Sequence, residues 1–210
     1  MIDANILFAW GATCKKLSED DIIFQEGTYC NFYYQVLSGS IKWVNINNEG
    51  REFLQSIIGP GECFGELPLF DNQPYAASAI AIEETVIIRL HKTTFHQILS
   101  EQPSLHFAFS KLLAERVRFK FYLLKELAYN DPEHKISALI EYFKKEHKLI
   151  CPKCHQIKLT RQQIADMTGL RVETVIRAIR NMYEKGELYI DKGKVYTTHM
   201  IPVIHQFCKA

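Results

Sequence analysis

The stretch LTRQQIADMTGLRVETVIRAIR, residues 159–180, determines the fold predicted for the C-terminal part of this chain. Two helices can cross closely only where the first has a small side chain, and Ala165 meets that requirement. The turn between the helices needs a residue that tolerates a positive φ, and Gly169 follows four residues later. Apolar residues fall at the offsets that hold such a pair together: Ile164, Leu170, Val175 and Ile179. The spacing therefore predicts a helix-turn-helix.

The first of these helices has its own start signal, and the second carries a pair of charged residues. Thr160, followed three residues later by Gln163, is typical of a capping box. Glu173 and Arg177 lie one turn apart on one face of the second helix. A solvated salt bridge between them would contribute only about 0.2–0.5 kcal/mol. The alternative is base recognition in the DNA major groove, because Arg can donate two hydrogen bonds to guanine and Glu can accept one from cytosine.

A β-hairpin is predicted directly after this segment, at residues 186–196, with Lys192 and Gly193 in its turn. Such a hairpin is the wing of a winged helix-turn-helix, and its lysines suit contacts with phosphate. Val172 and Ile176 offer apolar contact to a thymine methyl group. The predicted DNA-binding residues are Thr160, Arg161, Gln162, Arg171, Val172, Glu173, Thr174, Ile176, Arg177, Arg180, Lys192 and Lys194.

The N-terminal part of the chain has the pattern of a β-domain. Between residues 21 and 91, short β-branched or aromatic runs alternate with turn sequences rich in Gly, Asn, Asp and Pro. This spacing predicts a sandwich or barrel. The predicted strands are residues 22–24, 32–37, 40–46, 53–58 and 85–90.

A long helix is predicted after Pro103, where apolar residues begin to recur at three- and four-residue steps. Neither Gly nor Pro interrupts residues 104–131, which predicts a helix of about 25 residues, roughly 37 Å long. Its apolar side chains must cover the barrel, a partner helix, or both. A core helix within one chain is the alternative, since charged residues interrupt the stripe: Arg116, Arg118 and Lys120.

The division of the chain into domains follows from these elements and agrees with the charge. We predict an α+β protein with a β-barrel at residues 1–102, a long helix at 103–130 and a winged helix-turn-helix at 131–210. Residues 1–130 carry 11 basic and 15 acidic side chains, a net charge of −4, and residues 131–210 carry 14 and 9, a net charge of +5. Only the C-terminal part is therefore expected to meet a polyanion.

Several classes of protein are not expected. No apolar run approaches the ~20 residues of a membrane helix, and the acidic Asp3 occupies the flank where a secretory signal is basic. We therefore expect a cytoplasmic protein with no membrane partner, and its six cysteines reduced. There is no Gly-rich phosphate loop, nucleophile elbow or acid pair in a motif context, so no enzyme is predicted.

Beyond these patterns, the chain resembles the CRP/FNR family of bacterial transcription regulators over nearly its whole length. The resemblance rests on the sequences at residues 24–27, 36–42, 64–67, 159–165 and 172–175, with Arg177 following. It implies a cyclic-nucleotide-binding-type β-barrel of the jelly-roll kind as the sensor at residues 1–102, a dimerisation helix at 103–130, and a homodimer on two-fold symmetric double-stranded DNA. Because Val172 precedes Glu173, the chain is similar to the FNR type, which implies a TTGA-like half-site rather than TGTGA.

The resemblance also places an effector pocket in the barrel. The residues predicted to line it are Gly65, Glu66, Leu67, Tyr75, Ala76, Ala77, Ser78 and Lys120. Relatives that bind cyclic AMP carry an Arg about ten residues after Gly-Glu-Leu to neutralise the phosphate, and residues 75–78 have none. Burying the phosphate charge without a cation is costly, so we do not expect cyclic AMP to bind in that manner. The effector, a small molecule or a redox signal, is not identified.

The resemblance to this family raises the question of two metal cofactors, an iron–sulfur cluster and a haem. An FNR-type iron–sulfur cluster needs clustered thiolates near the N-terminus, where only Cys14 lies, so none is expected. Haem ligation is left open for His91, His96 and His106.

The segment 151–155, Cys-Pro-Lys-Cys-His, has four interpretations. Cys151, Cys154 and His155 could supply part of a zinc site, although no metal is predicted. The Cys-x-x-Cys spacing also suits a redox switch, and a plain hairpin with two reduced thiols is a third interpretation. The fourth is contact with RNA polymerase, which the resemblance implies for this position. A cyclic-nucleotide-type binding module without DNA binding is the alternative for the whole chain.

Overall fold

The structure is a computed structural model, and it describes residues 1–197. The chain divides into two compact units, Met1–Val117 and Arg118–Ala210. Cys208 and the end of the predicted C-terminal domain lie outside the described residues. Within residues 1–197, no helix is long and apolar enough to cross a membrane.

The first unit contains two antiparallel four-stranded sheets. One has the order β1-β8-β3-β6 and the other β2-β7-β4-β5. In chain order the strands are β1 Thr13–Leu17, β2 Ile22–Phe24, β3 Phe32–Ser38, β4 Ile41–Ile46, β5 Glu52–Ile58, β6 Cys63–Phe64, β7 Ser78–Ala81 and β8 Thr85–His91. The helices of this unit are α1 Ala4–Ala9, α2 Leu67–Asp71, α3 Lys92–Glu101 and the first part of α4 Pro103–Leu127.

An aromatic cluster forms part of the core of this unit. Tyr33 stacks on Phe95 with ring centroids 5.0 Å apart, and Phe109 meets the Phe95 ring edge-on at 5.4 Å. All three side chains are buried. Aromatic pairs of this kind contribute about 0.5–1.5 kcal/mol beyond the area they bury. These contacts join a strand and two helices, so they attach α3 and the start of α4 to the sheet.

The predicted strands are confirmed with ends shifted by at most one residue, but three strands were not predicted. β1 is almost wholly exposed and carries two lysines, so it lacks the apolar alternation of a half-buried strand. β6 has only two residues, and β7 has the sequence Ser-Ala-Ile-Ala and is buried on both faces. The three short helices α1, α2 and α3 were not predicted either.

The long helix is confirmed, with 25 residues in α4. Its apolar side chains fall into two groups that the sequence pattern did not separate. Phe109 and Leu123 are buried against the chain, whereas Phe107, Phe121 and Leu124 are exposed.

The second unit contains three further helices and a hairpin: α5 Pro132–Lys145, α6 Arg161–Thr168, α7 Val172–Glu184, β9 Tyr189–Asp191 and β10 Lys194–Tyr196. Asp131 caps α5, because its carboxylate accepts a hydrogen bond of 3.0 Å from the Glu133 amide and Pro132 needs no partner at the first position. The helices bury one apolar face each, with Leu139, Ile164 and Ile179 among the buried residues.

Candidate nucleic-acid interface

The helix-turn-helix predicted from residues 159–180 is present as α6, a tight turn and α7. Gly169 ends α6 in the left-handed conformation with φ of 68°, where a Cβ would be disfavoured. Ala165 is 2% exposed, as a close helix crossing requires. Ile164, Val175 and Ile179 are buried and Leu170 is half-buried. The motif is therefore confirmed in its turn, its crossing and its apolar faces.

The capping box is also confirmed. The Thr160 hydroxyl accepts a hydrogen bond of 3.0 Å from the Gln163 amide, and the Gln163 side-chain oxygen accepts one of 2.9 Å from the Thr160 amide. Two amides at the helix start, which have no partner within the helix, are thus satisfied reciprocally. The cap therefore defines where α6 begins.

Replacing Thr160 with alanine should loosen α6 without changing the fold. Losing this cap costs about 0.5–2 kcal/mol, so the α6 amides should exchange with solvent roughly two- to thirtyfold faster. Peptide-level hydrogen exchange checks this expectation. Thr160→Ser keeps the hydroxyl and should exchange like the parent, and unchanged exchange in Thr160→Ala would contradict the assigned cap.

The helix α7 is held against α5 by polar contacts at one end. Glu133 accepts hydrogen bonds from Lys185 at 2.5 Å and from Asn181 at 3.2 Å. These two donors lower the pKa of the Glu133 carboxyl. Together with the buried Val175, Ala178 and Met182, they fix which face of α7 points away from the domain.

That outward face carries the residues predicted to read DNA. Glu173, Ile176 and Arg177 are exposed. Within residues 1–197, neither Glu173 nor Arg177 takes part in an ion pair or a side-chain hydrogen bond, so the salt bridge weighed as an alternative does not form. The Arg180 guanidinium, by contrast, donates a hydrogen bond of 3.2 Å to the Glu184 carboxylate. A carboxylate and a guanidinium one turn apart are thus left available to a ligand.

The predicted wing is the β9–β10 hairpin. Lys194 of β10 lies opposite Asp191 of β9 in the strand register. The two turn residues between them, Lys192 and Gly193, have φ of 45° and 79°. Positive φ at both positions is the conformation of a type I′ turn, whose twist matches the strands. Lys192 and Lys194 are both exposed. The turn therefore presents two ammonium groups at the tip of the hairpin.

The remaining predicted DNA-binding residues lie around these two elements. Thr160, Gln162 and Arg171 are exposed, while Arg161, Val172 and Thr174 are half-buried. The side-chain amide of Gln162 donates a hydrogen bond of 2.8 Å to the Asp166 carboxylate. Arg171 precedes α7 without a side-chain cap hydrogen bond, so its guanidinium is not used to start the helix.

The predicted effector pocket contains an ion pair that the sequence did not reveal. Glu66 is 0% exposed and forms a salt bridge with Arg116 of α4. The Arg116 guanidinium also donates to the Cys63 carbonyl at 2.7 Å and lies 5.4 Å from the Trp43 ring centroid. Desolvation is the largest single influence and lowers the pKa of Arg116, but the charge and hydrogen bond of Glu66, together with Cys63 and Glu62, outweigh it, so the pKa is raised.

In the sequence pattern, Arg116 is only an interruption of the apolar stripe on the long helix. Its role as the counter-charge of Glu66 depends on an ion pair between residues far apart in the chain. The signal available was indirect: a basic residue at a helix position that otherwise repeats apolar side chains.

Packed aromatic rings occupy the rest of this region. Tyr75 stacks on Phe24 with ring centroids 3.7 Å apart. A Cβ on Gly65 would come within 2.6–3.0 Å of these two rings, so only glycine fits there. Ser78 accepts a hydrogen bond of 2.9 Å from the Glu26 amide. Ala77 is also buried, whereas Leu67 and Ala76 are exposed.

Lys120 lies in the second unit, where its ammonium is 5.6 Å from the Phe119 ring centroid. Its predicted part in the effector pocket stays a prediction.

Both the N-terminal β-domain and the helix-turn-helix domain match models of known protein families. Residues 14–102 match the family model of the cyclic nucleotide-binding domain, and residues 136–199 match that of the Crp-like helix-turn-helix domain. The chain belongs to the CRP/FNR family.

Similar CRP/FNR proteins include the cAMP-activated global transcriptional regulator CRP of Haemophilus influenzae, which is 29% identical over 186 residues. That alignment covers 88% of this chain and 83% of the relative. The Cyclic AMP receptor protein of Thermus thermophilus is 26% identical over 174 residues, 82% and 78% of the two chains.

Solved structures show the same fold. CLP of Xanthomonas campestris, a c-di-GMP responsive global regulator, has a TM-score of 0.77 at 20% identity and covers 94% of this chain and 100% of its own. FixK2 of Bradyrhizobium japonicum has a TM-score of 0.76 at 19% identity, covering 90% and 93%. CRP/FNR proteins are transcription regulators and not enzymes, and they bind DNA.

Two kinds of metal site weighed for this CRP/FNR protein can be compared with the structure. In residues 1–197, no three His, Cys, Asp or Glu side chains are grouped to hold a metal ion. Cys151, Cys154 and His155 therefore do not complete a zinc site within that part of the chain. His91 has a structural role, because its imidazole accepts a hydrogen bond of 3.4 Å from the Thr93 backbone amide at the start of α3.

Proposed function

We propose that this protein is a homodimeric transcription regulator that reads a palindromic DNA site through Glu173 and Arg177. The observation that carries the proposal is the outward face of α7, where both side chains are exposed and have no partner among the described residues. Arg177 would donate two hydrogen bonds to guanine while Glu173 accepts one from cytosine. The half-site that fits this pair, with Val172 before it, is TTGA-like.

The charges of the chain support DNA as the ligand of the C-terminal part. Residues 131–210 carry a net charge of +5, against −4 for residues 1–130. Lys192 and Lys194 at the wing would contact phosphates, which position the protein without reading sequence. Each phosphate contact also makes binding weaken as salt rises.

Selection of DNA from a random pool tests this proposal. We expect recovered sites to be inverted repeats of TTGA-like half-sites, with centres about one helical turn apart. Affinity for the recovered site should exceed that for a scrambled duplex by about 10³-fold or more at physiological salt. Recovery of TGTGA-centred sites would contradict the half-site, and equal affinity for scrambled DNA would contradict the function.

The dimer would form along α4. Its exposed apolar side chains are separated by steps of seven, three, four and three residues, the heptad spacing of a coiled-coil seam: Phe107, Ala114, Val117, Phe121 and Leu124. Arg116 and Lys120 fall outside this seam, so they do not interrupt it. Phe121 is 69% exposed and Leu124 66%. Exposed apolar side chains of this size at heptad positions favour a second copy of the helix as their cover.

Replacing Phe121 with glutamate should separate the dimer. Two carboxylates would then face each other in an apolar seam, and burying them unpaired is costly. Sedimentation analysis should show a monomer at concentrations where the parent is a dimer. Glu115→Lys changes an exposed residue of α4 outside the seam and should stay dimeric. A dimeric Phe121→Glu protein would exclude this surface as the interface.

The barrel of this protein would not take cyclic AMP in the manner of its cAMP-activated relatives. Glu66 is already neutralised by Arg116, and Tyr75 and Phe24 fill the adjoining space. Residues 75–78 add no cation for a phosphate. We propose that a different effector, a small molecule or a redox signal, acts on the barrel.

Calorimetric titration of the protein with cyclic AMP or cyclic GMP should give negligible heat. The Haemophilus CRP named above provides a positive control under the same buffer. Saturable heat with a stoichiometry of one nucleotide per chain would contradict the proposal that the Glu66–Arg116 ion pair and the rings of Tyr75 and Phe24 already fill the site.

The wider role of the protein follows from these parts. We propose that residues 1–102 form the sensor, 103–130 the dimerisation helix and 131–210 the DNA-binding domain, and that the protein acts in the cytoplasm with RNA polymerase as a partner.

A further inference from the structure

We propose that Cys151 and Cys154 form a reversible disulfide that alters the wing. The two residues lie in the loop before α6, outside every DNA contact named above. The effect on DNA binding rests on the proposed function, whereas the formation of the disulfide and the change in the wing do not.

The turn that holds the two cysteines has a geometry that a disulfide can bridge. The His155 amide donates to the Cys151 carbonyl at 2.8 Å and closes a single turn over residues 152–154. The first and fourth residues of such tight turns have Cα atoms within about 7 Å. Disulfides join Cα atoms roughly 4.4–6.8 Å apart. The two ranges overlap, so the turn brings the two cysteines to a separation that a disulfide can span.

The two thiols differ in access to solvent, which assigns their order of reaction. Cys151 is half-buried, and Cys154 is 3% exposed. Cys151 would meet a soluble oxidant first and Cys154 would follow. Elsewhere, burial raises the pKa of the Cys63 thiol to about 12, and a thiol that stays protonated reacts slowly.

The loop is joined directly to the wing by backbone hydrogen bonds. Gln156 forms a bridge with Tyr196 of β10. The Ile157 amide donates to the Val195 carbonyl at 2.8 Å, and the Thr197 amide donates to the His155 carbonyl at 3.1 Å. A change of shape at Cys154 therefore acts on the residues that bond directly to the strand carrying Lys194.

The same loop holds unusual backbone conformations. His147, Leu149 and His155 have φ of 52°, 55° and 57°. They are three of the six residues other than glycine with positive φ in residues 1–197. Side chains with a Cβ adopt this region at a cost. A disulfide between the two cysteines would therefore favour a second backbone conformation of the loop.

A peroxide is the oxidant class that balances the reaction. The Cys151 thiol releases its proton, its thiolate attacks one peroxide oxygen, and the O–O bond breaks; a sulfenic acid forms, and the departing hydroxide takes up the proton to give water. The Cys154 thiolate then attacks the Cys151 sulfur and displaces the hydroxyl as a second water. Two thiols are oxidised to one disulfide while hydrogen peroxide is reduced to two waters. A small thiol reverses the change by exchange.

The first test needs no DNA. The full chain is treated with hydrogen peroxide, and the cysteines are mapped by mass spectrometry. We expect the loss of two hydrogen atoms in the peptide spanning Cys151 and Cys154, reversed by dithiothreitol. Hydrogen exchange at residues 156–157 and 194–197 should become at least about threefold faster in the oxidised form. Cys14→Ser, which removes an exposed thiol elsewhere, should behave like the parent, and Cys151→Ser should not respond.

The second test measures DNA affinity across salt. The oxidised protein should bind its selected site about three- to tenfold more weakly, and the salt slope should fall by about 0.9 for each phosphate that the wing lysines no longer neutralise. An absent disulfide, a zinc ion retained by both thiols, or a disulfide without faster exchange in the wing would overturn the inference. If the reduced protein binds no palindrome while the first test succeeds, only the proposed function fails.

Discussion

Replacing Arg177 with alanine is expected to weaken binding of the palindromic site by roughly 30-fold to more than 10,000-fold. A bidentate contact between Arg and guanine contributes about 1–3 kcal/mol of discrimination, and a two-fold symmetric dimer makes two of them. The Arg177 side chain is exposed and has no partner among residues 1–197. Its removal should therefore leave folding almost unchanged. Fluorescence anisotropy at fixed salt, with the selected and a scrambled duplex, measures the effect.

A matched substitution separates base reading from charge. Arg177→Lys keeps the positive charge but not the planar pair of donors. It should retain affinity for the scrambled duplex while losing most of the preference for the selected site. Lys16→Ala removes an exposed charge from the barrel and should bind as the parent does. Discrimination that survives in Arg177→Ala would mean that α7 does not read bases through this residue.

Replacing Arg116 with methionine is expected to destabilise the protein by about 3–5 kcal/mol at pH 7, because it leaves a buried carboxylate without its counter-charge. Glu66 is 0% exposed, so its carboxylate depends on the guanidinium and not on solvent for its compensating charge. Arg116 also donates to the Cys63 carbonyl at 2.7 Å, and that acceptor loses its donor as well. Urea denaturation followed by tryptophan fluorescence gives the free energy of unfolding, since Trp43 lies beside Arg116.

The double variant Glu66→Gln/Arg116→Met removes both charges and should recover most of this loss. Replacing a buried ion pair by uncharged groups of similar size is often close to neutral. Arg118→Met removes an exposed guanidinium from the same helix and should change stability by less than about 0.5 kcal/mol. A double variant no more stable than Arg116→Met would show that the loss does not come from the unpaired carboxylate.

The helix-turn-helix could be predicted from the sequence because every interaction that defines it is local. The Thr160 cap, the left-handed Gly169 and the small Ala165 act within a few residues of one another. The turn of the wing is equally local, since Lys192 and Gly193 adopt their positive φ within the hairpin itself. The long helix could be predicted for the same reason, from its apolar repeat and from the absence of Gly and Pro.

Only the tertiary structure distinguished residues that look alike in the sequence. Phe109 and Phe121 both belong to the apolar repeat of α4, yet the first is buried and the second exposed, because burial depends on which elements pack against each turn. Arg116 reads as an interruption of that repeat until Glu66 is seen beside it. The strand β1, exposed and rich in lysine, is ordered by its pairing with β8 and not by its own pattern. Local backbone preferences therefore determined the helix-turn-helix, while contacts between distant residues decided how the barrel interior is filled.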